Sequence, residues 1–322
     1  MSGVFPGRRT GRLAAGAGFV MAALLSTVQT AAAITIELKD VAADRIERQR
    51  AFVEGRLPLA DTPEIGRLEK RLAEAGLKSG APMLMRIFKE TSELELWLEK
   101  GDRFVLFATY PICHWSGTLG PKLREGDKQT PEGFYTITNR QMRHFGRWTR
   151  AINLGFPNAY DRAHDRDGSY ILMHGGCSSV GCFAMTNQVI GEIYGLANAA
   201  IKGGQRHVPV HVFPFRLTDE ALAARASSPW HGFWSTLQAG SKSFERTGRP
   251  PRVSVCDGQY RVDDAAPKAV AAAEEDVPDK KRRGKSRSDM MLGAVRSGCP
   301  APVVVTAEGK GQAGTETPGR TR

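Results

Sequence analysis

Apolar and polar positions change period several times along the chain, and each change marks an element. Met83 to Phe88 is a nearly unbroken apolar run, as in a buried strand. Leu94-Glu95-Leu96-Trp97-Leu98-Glu99 alternates, as in a half-buried one. Lys100-Gly101-Asp102 turns the chain, so Phe104 to Tyr110 should return antiparallel. Phe134–Thr138, Tyr170–Met173 and Val208–Phe213 read as further strands, and Val253 to Val262 as an edge strand. A period near 3.6 takes over elsewhere. Val189, Ile190, Ile193, Tyr194 and Ala197 predict a helix over 186–201 capped by Thr186. Thr62 followed by Pro63 predicts a second helix, with Ile65, Leu68 and Leu72 on one face and Gly76 ending it. Ser228 followed by Pro229 predicts a third, with Phe233, Trp234, Leu237 and Phe244 along its core side. These elements predict a mostly β, α+β domain over residues 81–264.

The flanks read differently. Arg8, Arg9 and Arg12, an apolar segment from Leu13 to Leu25, and Ala31-Ala32-Ala33 make an export signal over residues 1–33, whose apolar run is too short to span a bilayer. Residues 34–80 form a peripheral helical segment, in which AADRIERQRAF is a second, looser helix. From Ala265 to the end, Ala, Lys, Arg, Gly and Pro dominate without periodicity, which predicts a disordered tail. The net charge of +11 divides as +3 in the signal, +4 in the tail and +4 between them, which argues against a nucleic-acid partner. No stable membrane span is expected once the signal is removed.

The chemistry concentrates in Ser169 to Asn187, SYILMHGGCSSVGCFAMTN. A strand ends on His174, Gly175-Gly176 turn the chain, and Gly181-Cys182 bring a thiol back. A cysteine attacks as its thiolate, so a nearby imidazole that takes the proton makes it a nucleophile. That imidazole needs an acceptor on its other nitrogen, and the Gly175 carbonyl is the candidate. Small residues beside Cys182 let the N–H groups of Val180, Gly181 and Cys182 converge on a developing oxyanion. Between strands, Asn139–Arg150 carries Arg143, His144, Arg147 and Trp148 and reads as an exposed excursion, either a lid over a peptide or, as is commoner, a solvated loop. Arg162 is the candidate for gripping a substrate carboxylate, with a salt bridge to Asp161, Asp165 or Asp167 as its alternative use. Tyr160 and Ser179 join it as expected substrate contacts.

His174-Gly175, a short loop, Ser179-Val180-Gly181-Cys182 and Met185-Thr186 together resemble the signature of the L,D-transpeptidase (YkuD-type) catalytic domain. The stretches MRIFKETSELELWLEKGDRFVLFATYPICHWSGTLGPKLREGD, TPEGFYTI, NLGFPNAYDRAH and HVFPFRLT are similar to its murein L,D-transpeptidase subfamily. The resemblance implies a bent β-sheet core with a helix packed behind the nucleophile loop. It implies Cys182 as nucleophile, His174 as base, Gly175 as the carbonyl orienting it, and no cofactor or metal. It also implies an exported enzyme of the periplasm acting on peptidoglycan stem peptides, with a peptidoglycan-attached lipoprotein as a further partner. The reaction is acyl transfer, or hydrolysis at the same diaminopimelate centres. The rival is a catalytically silent cell-wall binding module. Val180 departs from the family's commonest form, which has histidine there; if that histidine contributes only its backbone N–H, Val180 can replace it, and if its ring binds the acyl donor, donor choice or the ratio of hydrolysis to transfer changes.

Cysteine use sharpens the alternatives. A zinc set of Cys113, His114, His174, Cys177 and Cys182 lacks a second close pair. A Cys177–Cys182 disulfide would remove the nucleophile. With Cys182 reserved, Cys113, Cys177, Cys256 and Cys299 allow three connectivities. Cys113 ends a strand and Cys177 lies beside the loop, so these two are the pair expected to meet.

Overall fold

The apolar runs pair into one mixed sheet whose two faces are covered by different helices. The computed structural model describes residues 43–142, 146–148, 150–265 and 296–297; the signal over 1–33, Arg143, His144, Cys299 and Val303–Val305 lie outside the described residues. Strands β1 (Met83–Phe88), β2 (Glu93–Lys100), β3 (Arg103–Pro111) and β4 (Gly133–Ile137) match the expected runs within a residue or two. With β8 (Val208–Phe213) they form the order β3-β2-β1-β8-β4, in which only β1 and β8 are parallel. All six residues of β1 are buried. Met83, Met85 and Ile87 face a core shared with Val189, Ile193 and Ala197 of helix α4 (Asn187–Lys202). Leu84 and Phe88 face Phe244 and Trp234 of α6 (His231–Thr247) on the other side. Gly240 lets α6 approach closely, because a Cβ there would strike the Phe134 ring.

Smaller elements complete the frame. Helices α1 (Ala43–Val53) and α2 (Leu68–Glu74) precede the sheet, α3 (Ala159–Ala163) lies between β5 (Ile152–Asn153) and β6 (Leu172–His174), and α5 (Asp219–Ala223) follows β8. Strands β5, β6 and β7 (Phe183–Ala184) form a second sheet, which carries the signature motif. A third sheet joins β9 (Arg252–Cys256), β10 (Gln259–Asp263) and β11 (Arg296–Ser297).

Several expectations change. Thr62 does not cap α2: the chain enters through a 3-10 turn at Ile65–Arg67, and α2 begins at Leu68, although Gly76 at φ +63° ends it as expected. Ser228 does not cap α6 either. Its hydroxyl accepts from the Trp230 N–H at 3.2 Å and the helix starts two residues later than Pro229. The expected edge strand is a hairpin, turned by Asp257 and Gly258 at φ +51° and +72°, the left-handed pair that a tight hairpin requires. The segment expected to be a structureless tail supplies β11, paired with β9 at Ser254 and Val255. Helix α1 is better ordered than a loose peripheral helix. Arg45 donates to Trp115 O at 2.6 Å with its guanidinium over the Trp115 ring, and Arg48 donates to Ser92 O and Ile112 O.

Two histidines are buried in this frame. Burial, then the Arg86 charge, pushes the His211 pKa down to about 3, and burial, then Arg45, pushes His114 from 6.5 to about 4. Unfolded, both would take up a proton near 6.5. Their contribution to stability is therefore full above that pH and is lost progressively as pH falls toward 4 and 3. Melting temperature should fall across this window, and His114→Gln should shallow the fall. Equal slopes for variant and wild type would contradict the assignment to His114.

Candidate active site

Strands β6 and β7 are parallel neighbours, with Met173 opposite Phe183 and His174 opposite Ala184. Parallel strands ordinarily need a crossover of a dozen or more residues. Here Gly175 to Cys182 make the return alone, and the backbone bends accordingly. Gly176 and Gly181 take φ +88° and +116°, and Cys177 is held at φ +55°, which a non-glycine residue adopts only at a cost. Side chains are excluded where the turn is tightest. A Cβ on Gly175 would strike the Asn187 side chain, and one on Gly176 the Trp148 ring.

Several bonds hold the loop in that shape. A disulfide joins Cys177 to Cys113, with Cα atoms 5.2 Å apart, and leaves Cys182 reduced. The Cys177 N–H donates to Met185 O at 3.2 Å, and Met185 N–H to His174 O at 2.7 Å. Gln49 of α1 donates to Cys177 O at 3.1 Å. The Ser179 hydroxyl donates to Cys182 O at 2.6 Å. Helix α4 follows at once, its cap formed by Thr186 accepting from the Val189 N–H, as the sequence predicts.

His174 is buried, with Nδ1 2.6 Å from Gly175 O. A carbonyl only accepts, so Nδ1 carries the proton and Nε2 presents its lone pair. The Trp148 ring stacks on the imidazole at 4.5 Å, so this part of the expected excursion lies against His174. The Cys182 Sγ lies 3.4 Å from the Leu172 N–H and 3.6 Å from Tyr170 O. Leu172 and His174 are two residues apart on β6, so the thiol is held to the main chain of the strand that ends on the imidazole. Burial pushes the Cys182 thiol up from its ordinary value, opposed by the Leu172 N–H and the Lys122 charge. Such a thiol is protonated at neutral pH and needs a base before it attacks. Among the described residues, the N–H groups of Val180, Gly181 and Cys182 donate to no acceptor.

The other expected contacts separate. Val180 is 53% exposed beside the thiol. Tyr160 is withdrawn from any substrate: it is 4% exposed, stacked between Tyr260 and His164 in the second hydrophobic cluster. Arg162 is exposed and donates to Pro157 O at 2.6 Å; Asp161 pairs instead with buried Arg166 at 3.1 Å. The Ser179 hydroxyl is committed to the loop itself. Lys122, near the thiol in the Gly-, Lys- and Pro-rich loop before β4, has no signal in the sequence that singles it out. It is almost buried and paired with Asp127 at 2.5 Å. Zinc finds no set here, since Cys113 and Cys177 are spent on each other; among the described residues no three His, Cys, Asp or Glu side chains gather as a metal site.

If the disulfide holds the return loop, replacing Cys113 and Cys177 together by Ala should cost about 2–4 kcal/mol in urea unfolding. It should also change the alkylation rate of Cys182. An unchanged midpoint with an unchanged rate would contradict the loop's dependence on the bond.

The comparisons agree with the motif. The L,D-transpeptidase catalytic domain (YkuD) family matches residues 87–212. YafK of Escherichia coli K12, whose name assigns it provisionally to the L,D-transpeptidases, is 46% identical over 183 residues, covering 57% of this chain and 74% of that protein. Two solved structures are similar at a lower level, too slight to bear on fold or activity. The helical cell shape determining protein Pgp2 from Campylobacter jejuni has 19% identity and a TM-score of 0.32, covering 56% of this chain and 66% of that one. Bd1075 of Bdellovibrio bacteriovorus has 20% identity and a TM-score of 0.31, covering 52% and 61%. With 46% identity to YafK over a stretch that covers 74% of that protein, the chain belongs to the L,D-transpeptidase catalytic domain (YkuD) family.

Proposed function

We propose that this chain is an exported cysteine acyltransferase of the periplasm, acting on peptidoglycan stem peptides through a Cys182 acyl-enzyme with His174 as base. The observation that carries the reading is a reduced Cys182 that ends the short loop begun by His174, whose Nδ1 is fixed by Gly175 O, with the strands at the two ends of that loop adjacent. Nε2 of His174 takes the thiol proton as sulfur attacks a carbonyl near a diaminopimelate centre. The N–H groups of Val180, Gly181 and Cys182 hold the oxyanion. As the tetrahedral intermediate collapses, the C–N bond breaks, His174 returns the proton to the leaving amine, and a thioester remains on Cys182. A second amine then attacks the thioester and restores the thiol, giving a cross-link or an attached protein.

A second reading keeps the acyl-enzyme and ends it with water, so that cross-links or peptidoglycan-attached protein are cleaved. Val180 bears on both readings: the loop exposes an isopropyl group where the family usually has an imidazole, so a donor contact made by that ring would be missing here. The silent-module reading loses its main support, because Cys177 is bonded to Cys113 and not to Cys182.

Incubation with defined muropeptides, followed by mass analysis, separates cross-linked from cleaved products. Wild-type protein should give one or both. Cys182→Ala should give neither, and His174→Gln should reduce turnover by about 10²–10⁴-fold. A Cys182→Ala protein that still converts muropeptides would overturn the mechanism.

A further inference from the structure

Residues 58–68 lie outside the stretch matched by the family, and they build a feature beside the candidate site. With the first turns of α4 they enclose a cleft of about 540 Å³. Pro58, Pro63, Ile65 and Leu68 form its apolar wall; Gln188, Gly191 and Glu192 of α4 form the other, and Arg150 lines it as well. Gln188 adjoins Asn187, whose side chain packs where a Gly175 Cβ would be, so the cleft lies next to the loop that holds His174.

The charges in this cleft are unequal. Glu192 is neutralised by Arg71 at 2.8 Å and also accepts from the Tyr110 hydroxyl at 2.6 Å. Glu64 is paired with Arg67 at 3.1 Å. Arg150, among the described residues, has no hydrogen-bond or ion-pair partner. Its guanidinium lies over α4 at Gly191, where a Cβ would come within 3.1 Å of Nη1, so the missing side chain gives it room. The sixteen-residue α4 adds the positive end of its dipole on the same side. The Thr62 hydroxyl, also on the lining, is buried without a partner. An unmatched cation beside apolar walls suits a carboxylate on a short aliphatic chain.

We propose that this cleft is an accessory subsite for a carboxylate-bearing part of a peptidoglycan stem peptide. Arg150 holds the carboxylate, and Pro63, Ile65 and Leu68 pack against the aliphatic portion. The subsite rests on the stem-peptide reading given above, yet it is testable without turnover. The full chain carrying Cys182→Ala is titrated calorimetrically with a disaccharide tetrapeptide and with the same compound amidated at its carboxyl groups. Adding Arg150→Ala should weaken binding of the acid form about tenfold or more, as expected for losing a charged hydrogen bond, and Arg150→Lys should restore part of it. The amidated compound should bind the unaltered cleft as weakly as the acid form binds the Arg150→Ala protein. Affinity that ignores Arg150 or amidation, or no binding at all, overturns the subsite. With Cys182 restored, Arg150→Ala should raise KM more than it lowers kcat. Binding through Arg150 by a protein that never converts muropeptides would sink the acyltransfer reading and leave the subsite standing.

Discussion

Eight residues, Gly175 to Cys182, return the chain from β6 to a parallel neighbour, and the site's geometry depends on that return. A longer crossover would leave the thiol's position to packing between distant elements. The short one ties it to the main chain of β6, where Leu172 N–H and Tyr170 O meet the sulfur two to four residues before His174. Its cost is local backbone strain, met by two glycines and by the Cys113–Cys177 bond at the one non-glycine position with positive φ. Among the described residues, the N–H groups of Val180, Gly181 and Cys182 at the end of the loop donate to no acceptor.

Rigidity around the loop comes from groups far apart in sequence. Lys89 and Glu132 are fully buried 2.8 Å apart, an arrangement tolerable only because every remaining polar atom is used. Lys89 also donates to Gly120 O and Thr130 O, while Glu132 accepts from Gly120 N–H and from the Trp234 indole. This network fastens the loop before β4, which carries Lys122, to α6 behind the sheet. On the opposite flank α1 clasps the disulfide through Gln49, with Ala51 and Phe52 in the small cluster around Cys113 and Cys177. Return loop, disulfide and leading helix are thus joined by direct contacts.

The strands of the main sheet were legible because both their faces are buried, so their apolar runs are long and their ends sharp. The return from β6 to Cys182 was legible because Gly175-Gly176 and Gly181 punctuate a short stretch between two apolar runs. Helix starts were less so: Thr62 and Ser228 have the right residue type, but the chain approaches each helix through a turn that spends or withdraws the hydroxyl. The β9–β10 hairpin was hidden inside what looked like one strand, although Asp257-Gly258 carried its turn signal. Tyr160 misled because a tyrosine near a site motif looks like a ligand contact, whereas its stacking partner Tyr260 is 100 residues away. The pairing of β11 with β9 is long-range too, and nothing in the composition around Arg296 announces it.

If the return loop makes Cys182 the group that becomes acylated, intact-protein mass after exposure to a carbapenem-type β-lactam, followed by peptide mapping of the adduct, will show it. A single adduct on Cys182, absent from Cys182→Ala and slowed in His174→Gln, is the expected result. An adduct mapped to another residue, or undiminished labelling of Cys182→Ala, would contradict it.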